Sequence, residues 1–248
     1  MTLSQGRGYL AIPGPSVIPD AVLQAMHQAA PNIYEGPLVD LTKSIVEDLK
    51  WAACSTQYVA IYIANGHGAW EAALANIAEP GDKVLVAATG RFGHGWAEMA
   101  RRMGIYVELI DFGMHSTADP AQIAQALKDD RDQQIKAVLI CHVDTSTSVR
   151  NDILQIRQAM DAVEHPALLA VDCIASLVCD RFEFDAWGVD VMVAGCQKGL
   201  MVPPGLSFVF FSDRAAKRQK SLHHVSSYWD WAPRVAPQLF YEYFCGTA

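Results

Sequence analysis

Short apolar runs rich in β-branched residues recur along this chain, and most are separated by a stretch with helical periodicity. That alternation limits the fold more than any other feature. Runs at 58–64, 83–88, 106–110, 137–142, 168–172, 189–194 and 207–211 read as strands. Helical patterns fill most gaps, at 67–78, 95–103, 120–128 and 153–163, with two more at 21–29 and 38–53 ahead of the first strand. Strands spaced this way join through right-handed crossovers into a mostly parallel sheet with helices on both faces. The expected fold is α/β: three α/β/α layers around a mostly parallel seven-stranded sheet. The last run follows its predecessor through a link holding Pro203, Pro204 and Gly205, with no crossover helix, so it is expected to run antiparallel. Glu79-Pro80-Gly81-Asp82 reads as a turn between helix and strand. Asp119-Pro120 reads as an N-cap followed by a first-turn proline.

Composition narrows the classes. Hydrophobic residues make up 51% of the 248, enough for a buried central sheet. The formal net charge of -8 argues against binding a nucleic-acid backbone. Six cysteines include no CxxC pair, and Cys141, Cys173 and Cys196 fall in or beside apolar runs. They read as buried free thiols of a reducing compartment. The N-terminus lacks a signal-peptide pattern and no apolar run reaches a membrane span, so a cytoplasmic protein with no membrane partner is expected. The stretch after Lys220 is aromatic and irregular, and it reads as the start of a further element.

In an open parallel sheet, ligands sit beyond the carboxyl ends of the strands. After the first strand come Asn65-Gly66-His67-Gly68 and a helix. Small residues at a helix N-terminus let N–H groups approach a phosphate, and they suit an ordinary βα turn equally well. A dinucleotide fingerprint would want glycine where Glu71 stands. After the second strand, glycines flank Phe92, which could stack on a planar ligand or simply fill the core. After the fourth, Thr145, Ser146, Thr147 and Ser148 offer hydroxyls to a ligand or to the cap of the next helix. The fifth ends in Asp172, an acid costly to bury without a positive partner. Beyond the sixth lies Gly195-Cys196-Gln197-Lys198-Gly199, where a desolvated lysine becomes a nucleophile. A phosphate loop, a stackable ring, a buried acid and a lysine at one sheet edge match the parts of a pyridine-aldehyde cofactor.

These motifs resemble the class V aminotransferases of the fold-type I pyridoxal-phosphate enzymes, and most of all the alanine–glyoxylate and serine–glyoxylate branch. The resemblance rests on Pro13-Gly14-Pro15-Ser16, the run from Gly66 to Leu74, Glu79-Pro80-Gly81-Asp82, Val171-Asp172 with Ala175-Ser176, and Gln197-Lys198 with Pro203-Pro204-Gly205. It implies pyridoxal 5′-phosphate as cofactor and Lys198 as Schiff-base lysine and proton carrier. Asp172 would pair with the ring nitrogen, with Phe92 and Ile174 on the two ring faces and Thr145 at the phenolic oxygen. Asn65, Gly66, His67 and Gln197 would hold the phosphate, and Thr247 would reach the neighbour's phosphate in a homodimer. Gly14 and the region of Tyr34 would lie near the substrates, a small amino acid (alanine or serine) and a small 2-oxo acid (glyoxylate or pyruvate). No metal is implied.

The resemblance divides the chain into an N-terminal arm, 1–20, and a cofactor-binding large domain, 21–248. The C-terminal small domain, with the arginine that clamps the substrate carboxylate, falls outside these residues, so the 248-residue piece is expected to bind cofactor but turn over poorly. Two departures from the family are Ser148, where glycine is frequent, and 33–37, where relatives often carry histidine.

Rival readings fit less well. A cysteine desulfurase would have histidines where Phe92 and Gln197 stand. A relative working without the covalent lysine would not need Lys198. A Rossmann oxidoreductase would want the missing glycine, and a non-catalytic binding domain would need neither Lys198 nor Asp172. His223-His224 read as surface residues with no ligand partner nearby in sequence.

Overall fold

A computed structural model describes residues 10–246. Helices α1 (Asp20–Met26) and α2 (Pro37–Ala52) precede a seven-stranded sheet. The chain then runs β1 (Tyr58–Ile63), α3 (Gly66–Ile77), β2 (Lys83–Ala88), α4 (Arg91–Arg102), β3 (Tyr106–Asp111), α5 (Pro120–Asp129) and β4 (Ile135–Cys141). A two-strand hairpin, β5 (Val143–Asp144) and β6 (Val149–Arg150), leads to α6 (Ile153–Ala162), β7 (Leu168–Asp172), β8 (Val191–Gly195), β9 (Leu206–Phe211) and α7 (Asp213–Gln219). Helix α8 (Ala232–Val235) and a 3-10 helix (Phe240–Phe244) follow.

The strand order is β1-β9-β8-β7-β4-β2-β3. Pairs β2–β3, β2–β4, β4–β7 and β7–β8 are parallel, whereas β9 is antiparallel to both β8 and β1. The expectation for the last strand is met, for the reason given: ten residues join β8 to β9 without a helix.

Strand alternation supplies a core to each face. Leu85, Val138, Ile140, Leu169, Val171, Met192 and Phe208 point to one side, where Leu49 of α2, Ile123 of α5 and Ile156 of α6 cover them. Val84, Val86, Leu139, Ala170, Val193 and Val209 point to the other, beneath Trp70 and Leu74 of α3, Trp96 of α4 and Ala215 of α7. Fully burying each such Val, Leu or Ile contributes about 1.5–3 kcal/mol. The caps are local. Asp119 accepts from Ala121 N and Asp152 from Gln155 N at the starts of α5 and α6. No helix among the described residues is long and apolar enough to cross a membrane.

The structure corrects three local expectations. Helix α4 begins at Arg91, so Phe92 sits in its first turn and not in a glycine-rich loop. The hydroxyl run 145–148 forms the turn of the β5–β6 hairpin, and Asp152 alone caps α6. The aromatic C-terminal stretch is docked on the sheet. Trp231 is buried and stacks on Phe211 at 4.0 Å. The buried Arg234 donates to the carbonyls of Ile61 and Tyr243, with its guanidinium 4.2 Å from the Tyr62 ring centroid. All six cysteines are free, with Cys141, Cys173 and Cys196 buried.

Candidate active site

Because β1, β2, β4, β7 and β8 all run the same way, the residues after them converge on one edge of the sheet. In sheet order from β8 these are Lys198, Asp172 (last residue of β7), Thr145 in the hairpin after β4, and Phe92 after β2. The loop after β1 joins them: a Cβ added to Gly66 would lie 2.3 Å from Ile174 Cδ1. Gly66 is buried because Ile174, two residues past Asp172, fills the space where a side chain would be.

Asp172 is 3% exposed. Its Oδ2 accepts from Trp70 Nε1 at 2.8 Å and its Oδ1 from the Ile174 N–H at 2.7 Å, while Cys141 Sγ lies 3.9 Å from Oδ2. An acid this deeply buried calls for a positive partner. The structure gives it neutral donors, and among the described residues no cation forms an ion pair with it. Burial therefore dominates and raises its pKa to about 6, against the lowering effect of the two hydrogen bonds and of the Lys198 charge; Asp144 raises it further.

Lys198 is half-buried, and burial holds its amine below the ordinary lysine range, partly offset by Asp172. Its Nζ donates to Pro13 O at 2.9 Å. The arm around Gly14 lies across it: a Cβ on Gly14, where φ is 130°, would come within 2.7 Å of Lys198 Nζ. Ser16 fastens the arm, its N–H donating to Gln197 O at 2.8 Å and its hydroxyl to the carbonyls of Gln197 and Lys198. Behind the lysine, Gly199 is pressed on the 173–179 turn. A Cβ there would sit 2.2 Å from the Leu177 carbonyl oxygen. Since backbone blocks it, Gly199→Ala is expected to cost about 1–3 kcal/mol and to lower Tm by roughly 3–10 °C. An unchanged thermal melt would contradict that packing.

Asn65 caps α3, its Oδ1 accepting from Gly68 N at 3.2 Å. The N–H groups of Gly66 and His67, in the first turn, have no intrahelical acceptor and suit an anion. His67 is exposed and its ring centre lies 4.6 Å from that of Trp70. Phe92 meets Trp70 edge-on at 6.1 Å.

Sequence reasoning missed Asp144. It is fully buried: Oδ2 accepts from the N–H groups of Phe92 and Gly93, and Oδ1 from the N–H and hydroxyl of Ser146. One carboxylate thus caps α4 and braces the turn that carries Thr145. A lone Asp in a hydroxyl run gave no sign of this. Trp70 was missed too, hidden in an apolar helix pattern.

Tyr34 is 70% exposed, its N–H bonded to Asn32 Oδ1, and no contact with Lys198 or Asp172 brings it to this cluster. Thr247 lies outside the described residues. His223 is exposed as expected, but it does have an acidic partner from a distant turn, Glu79, at 2.9 Å. Among the described residues no group of three His, Cys, Asp or Glu is placed to hold a metal ion.

A lysine and an acid thus stand at adjacent strand ends, beside a glycine-lined helix start. The chain belongs to the class-V aminotransferase family, whose model matches residues 8–230. It is 40% identical over 250 residues to serine–glyoxylate aminotransferase of Methylorubrum extorquens, a match covering 98% of this chain and 62% of that protein. It is 35% identical over 220 residues to L-aspartate–glyoxylate aminotransferase of Paracoccus denitrificans, covering 88% and 56%. Among solved structures, an aspartate aminotransferase from Thermus thermophilus superposes with a TM-score of 0.83 at 28% identity, over 94% of this chain and 63% of that one. The chain therefore spans about six-tenths of the length of these relatives.

Proposed function

We propose that the protein moves the amino group of a small amino acid, alanine or serine, to a small 2-oxo acid, glyoxylate or pyruvate, using pyridoxal 5′-phosphate held by Lys198. The observation that carries this reading is the pairing of two unusual groups at adjacent strand ends. One is a buried acid whose hydrogen-bond donors are neutral; the other is an amine held below its ordinary pKa. The protonated nitrogen of the cofactor's ring is the cation that Asp172 lacks, so the residues present fit the group. The similarity to glyoxylate-using relatives supports the acceptor, and the Paracoccus relative adds aspartate as a third candidate donor.

When bound, pyridoxal phosphate supplies an aldehyde carbon for amines and a ring that accepts electrons. The residues of this chain supply the groups around it. Lys198 Nζ, deprotonated more readily than an ordinary lysine, is suited to bond that carbon and to take the proton from the substrate Cα. Asp172 would hold the proton on the ring nitrogen. Phe92 and Ile174 would lie on the two ring faces, with Thr145 at the phenolic oxygen. Asn65, Gly66, His67 and Gln197 would hold the phosphate. Gly14 and Tyr34 border the substrate, with Tyr34 needing to move or to act on a neighbouring subunit. The same reading makes residues 1–20 an arm and 21–248 the cofactor-binding domain of a cytoplasmic homodimer, with Thr247 directed to the partner's phosphate.

The half reaction tests this without relying on turnover. Cofactor-loaded protein mixed with serine, alanine or aspartate and no acceptor is expected to release the matching 2-oxo acid, one per chain, and to return to its starting spectrum on adding glyoxylate. In protein that carries the C-terminal small domain as well, bound cofactor with no 2-oxo acid from any of the three would overturn the transaminase reading.

A further inference from the structure

Asp172 is held by more than its own strand. Trp70 is fully buried, 1% exposed, and its indole N–H is the only side-chain N–H within hydrogen-bond reach of this carboxylate among the described residues. The ring cannot turn away. Trp96 stacks against it at 5.9 Å and 14°, His67 lies on it at 4.6 Å, Phe92 meets its edge, and Gly95 leaves only 3.3 Å for a Cβ beside its six-membered ring. The neighbouring Trp96 makes a useful contrast. It is equally buried, yet its N–H has no partner. So packing alone accounts for Trp96 and does not account for the aim of Trp70.

We propose that Trp70 is a positioning residue for Asp172: its N–H pins Oδ2 while the Ile174 N–H pins Oδ1, fixing the plane of the carboxylate that meets the cofactor's ring nitrogen. This rests on the reading of the site as a pyridoxal-phosphate site. With Oδ1 held by the Ile174 N–H and Oδ2 by the Trp70 N–H and, at 3.9 Å, the Cys141 thiol, the carboxylate cannot rotate, and Oδ1 keeps lone-pair capacity for a further donor. Trp70 also touches His67 and Phe92, assigned above to the phosphate and to one ring face, so one indole sets the relative places of three contacts. The titratable groups facing the carboxylate are Asp144 from the hairpin, Lys198 beyond β8, and the thiols of Cys141 and Cys173. Of these only Lys198 favours its charged form; Trp70 and Ile174 add to that effect through hydrogen bonds.

The cleanest test replaces the Trp70 indole by benzothiophene, which keeps the shape and deletes the N–H. Trp70→Phe is the simpler companion, and it also opens space in the core. Two readouts are compared with wild type: the pH titration of the Asp172 carboxyl infrared band, taken as the difference from Asp172→Asn in cofactor-free protein, and the affinity for pyridoxal phosphate against its analogue with carbon in place of the ring nitrogen. Losing one neutral hydrogen bond is expected to raise the carboxyl midpoint by about one pH unit. It should weaken pyridoxal-phosphate binding about tenfold while leaving the analogue's affinity unchanged. An unmoved midpoint, or equal losses for both ligands, would overturn the positioning role. If wild type binds neither ligand but the midpoint still moves, the cofactor reading fails and the Trp70–Asp172 coupling stands.

Discussion

Lys198→Ala is expected to lower the half-reaction rate by about 10²–10⁴-fold, the range for losing a positioned general base, and to abolish covalent attachment of pyridoxal phosphate. The protein should remain folded. Lys198 is half-buried and its Nζ makes one bond among the described residues, to a backbone carbonyl of the arm, which Ser16 also anchors. Lys198→Arg should fail to the same degree, because a guanidinium keeps the charge but does not deprotonate. Rates from stopped-flow mixing with serine, beside a thermal melt, check both. A variant that kept wild-type rates would remove Lys198 from the chemistry.

Asp172→Asn has two expected effects of opposite sense. In cofactor-free protein the acid is a liability at neutral pH. Its pKa is about 6 in the fold against an ordinary 3.8, so between those values the folded state binds more protons than the unfolded one. Stability from this group is therefore highest below pH 4 and falls as pH rises to about 6 and beyond, by on the order of 3 kcal/mol. Asparagine carries no such slope. Urea unfolding at pH 4 and pH 7 should show wild type losing that much relative to the variant. With cofactor loaded, the charge becomes useful, and the variant should lose about 10²–10³ in half-reaction rate, the scale of removing one preorganised electrostatic contact. Parallel pH profiles for the two proteins would mean that Asp172 is not the buried acid described here.

The sheet was legible because its signals are local. Runs such as 83–88 and 168–172 are short, apolar and β-branched, and the strands found there have the same bounds. The antiparallel β9 followed from a link too short for a crossover. Lys198, Asp172, Gly66 and Ile174 were singled out from strand ends or motif resemblance, and the fold brings them to one edge. What stayed hidden depends on contacts between distant residues. Helix α4 starts at Arg91 because Asp144, about fifty residues later, accepts from Phe92 and Gly93. The true partner of Asp172 is Trp70, which a helical apolar pattern marks only as core. Arg234 carries no local signal of burial, yet it is buried, donating to the carbonyls of Ile61, Tyr228 and Tyr243.

The central claim, that Lys198 carries pyridoxal phosphate opposite Asp172, is most directly tested by borohydride. The protein is incubated with pyridoxal phosphate, its visible spectrum recorded, and the mixture reduced and mapped by peptide mass spectrometry. The account predicts a visible band that reduction removes, with the phosphopyridoxyl mass fixed on Lys198 alone. A protein that stays colourless and unlabelled, or that is labelled at other lysines as readily as at Lys198, would contradict it.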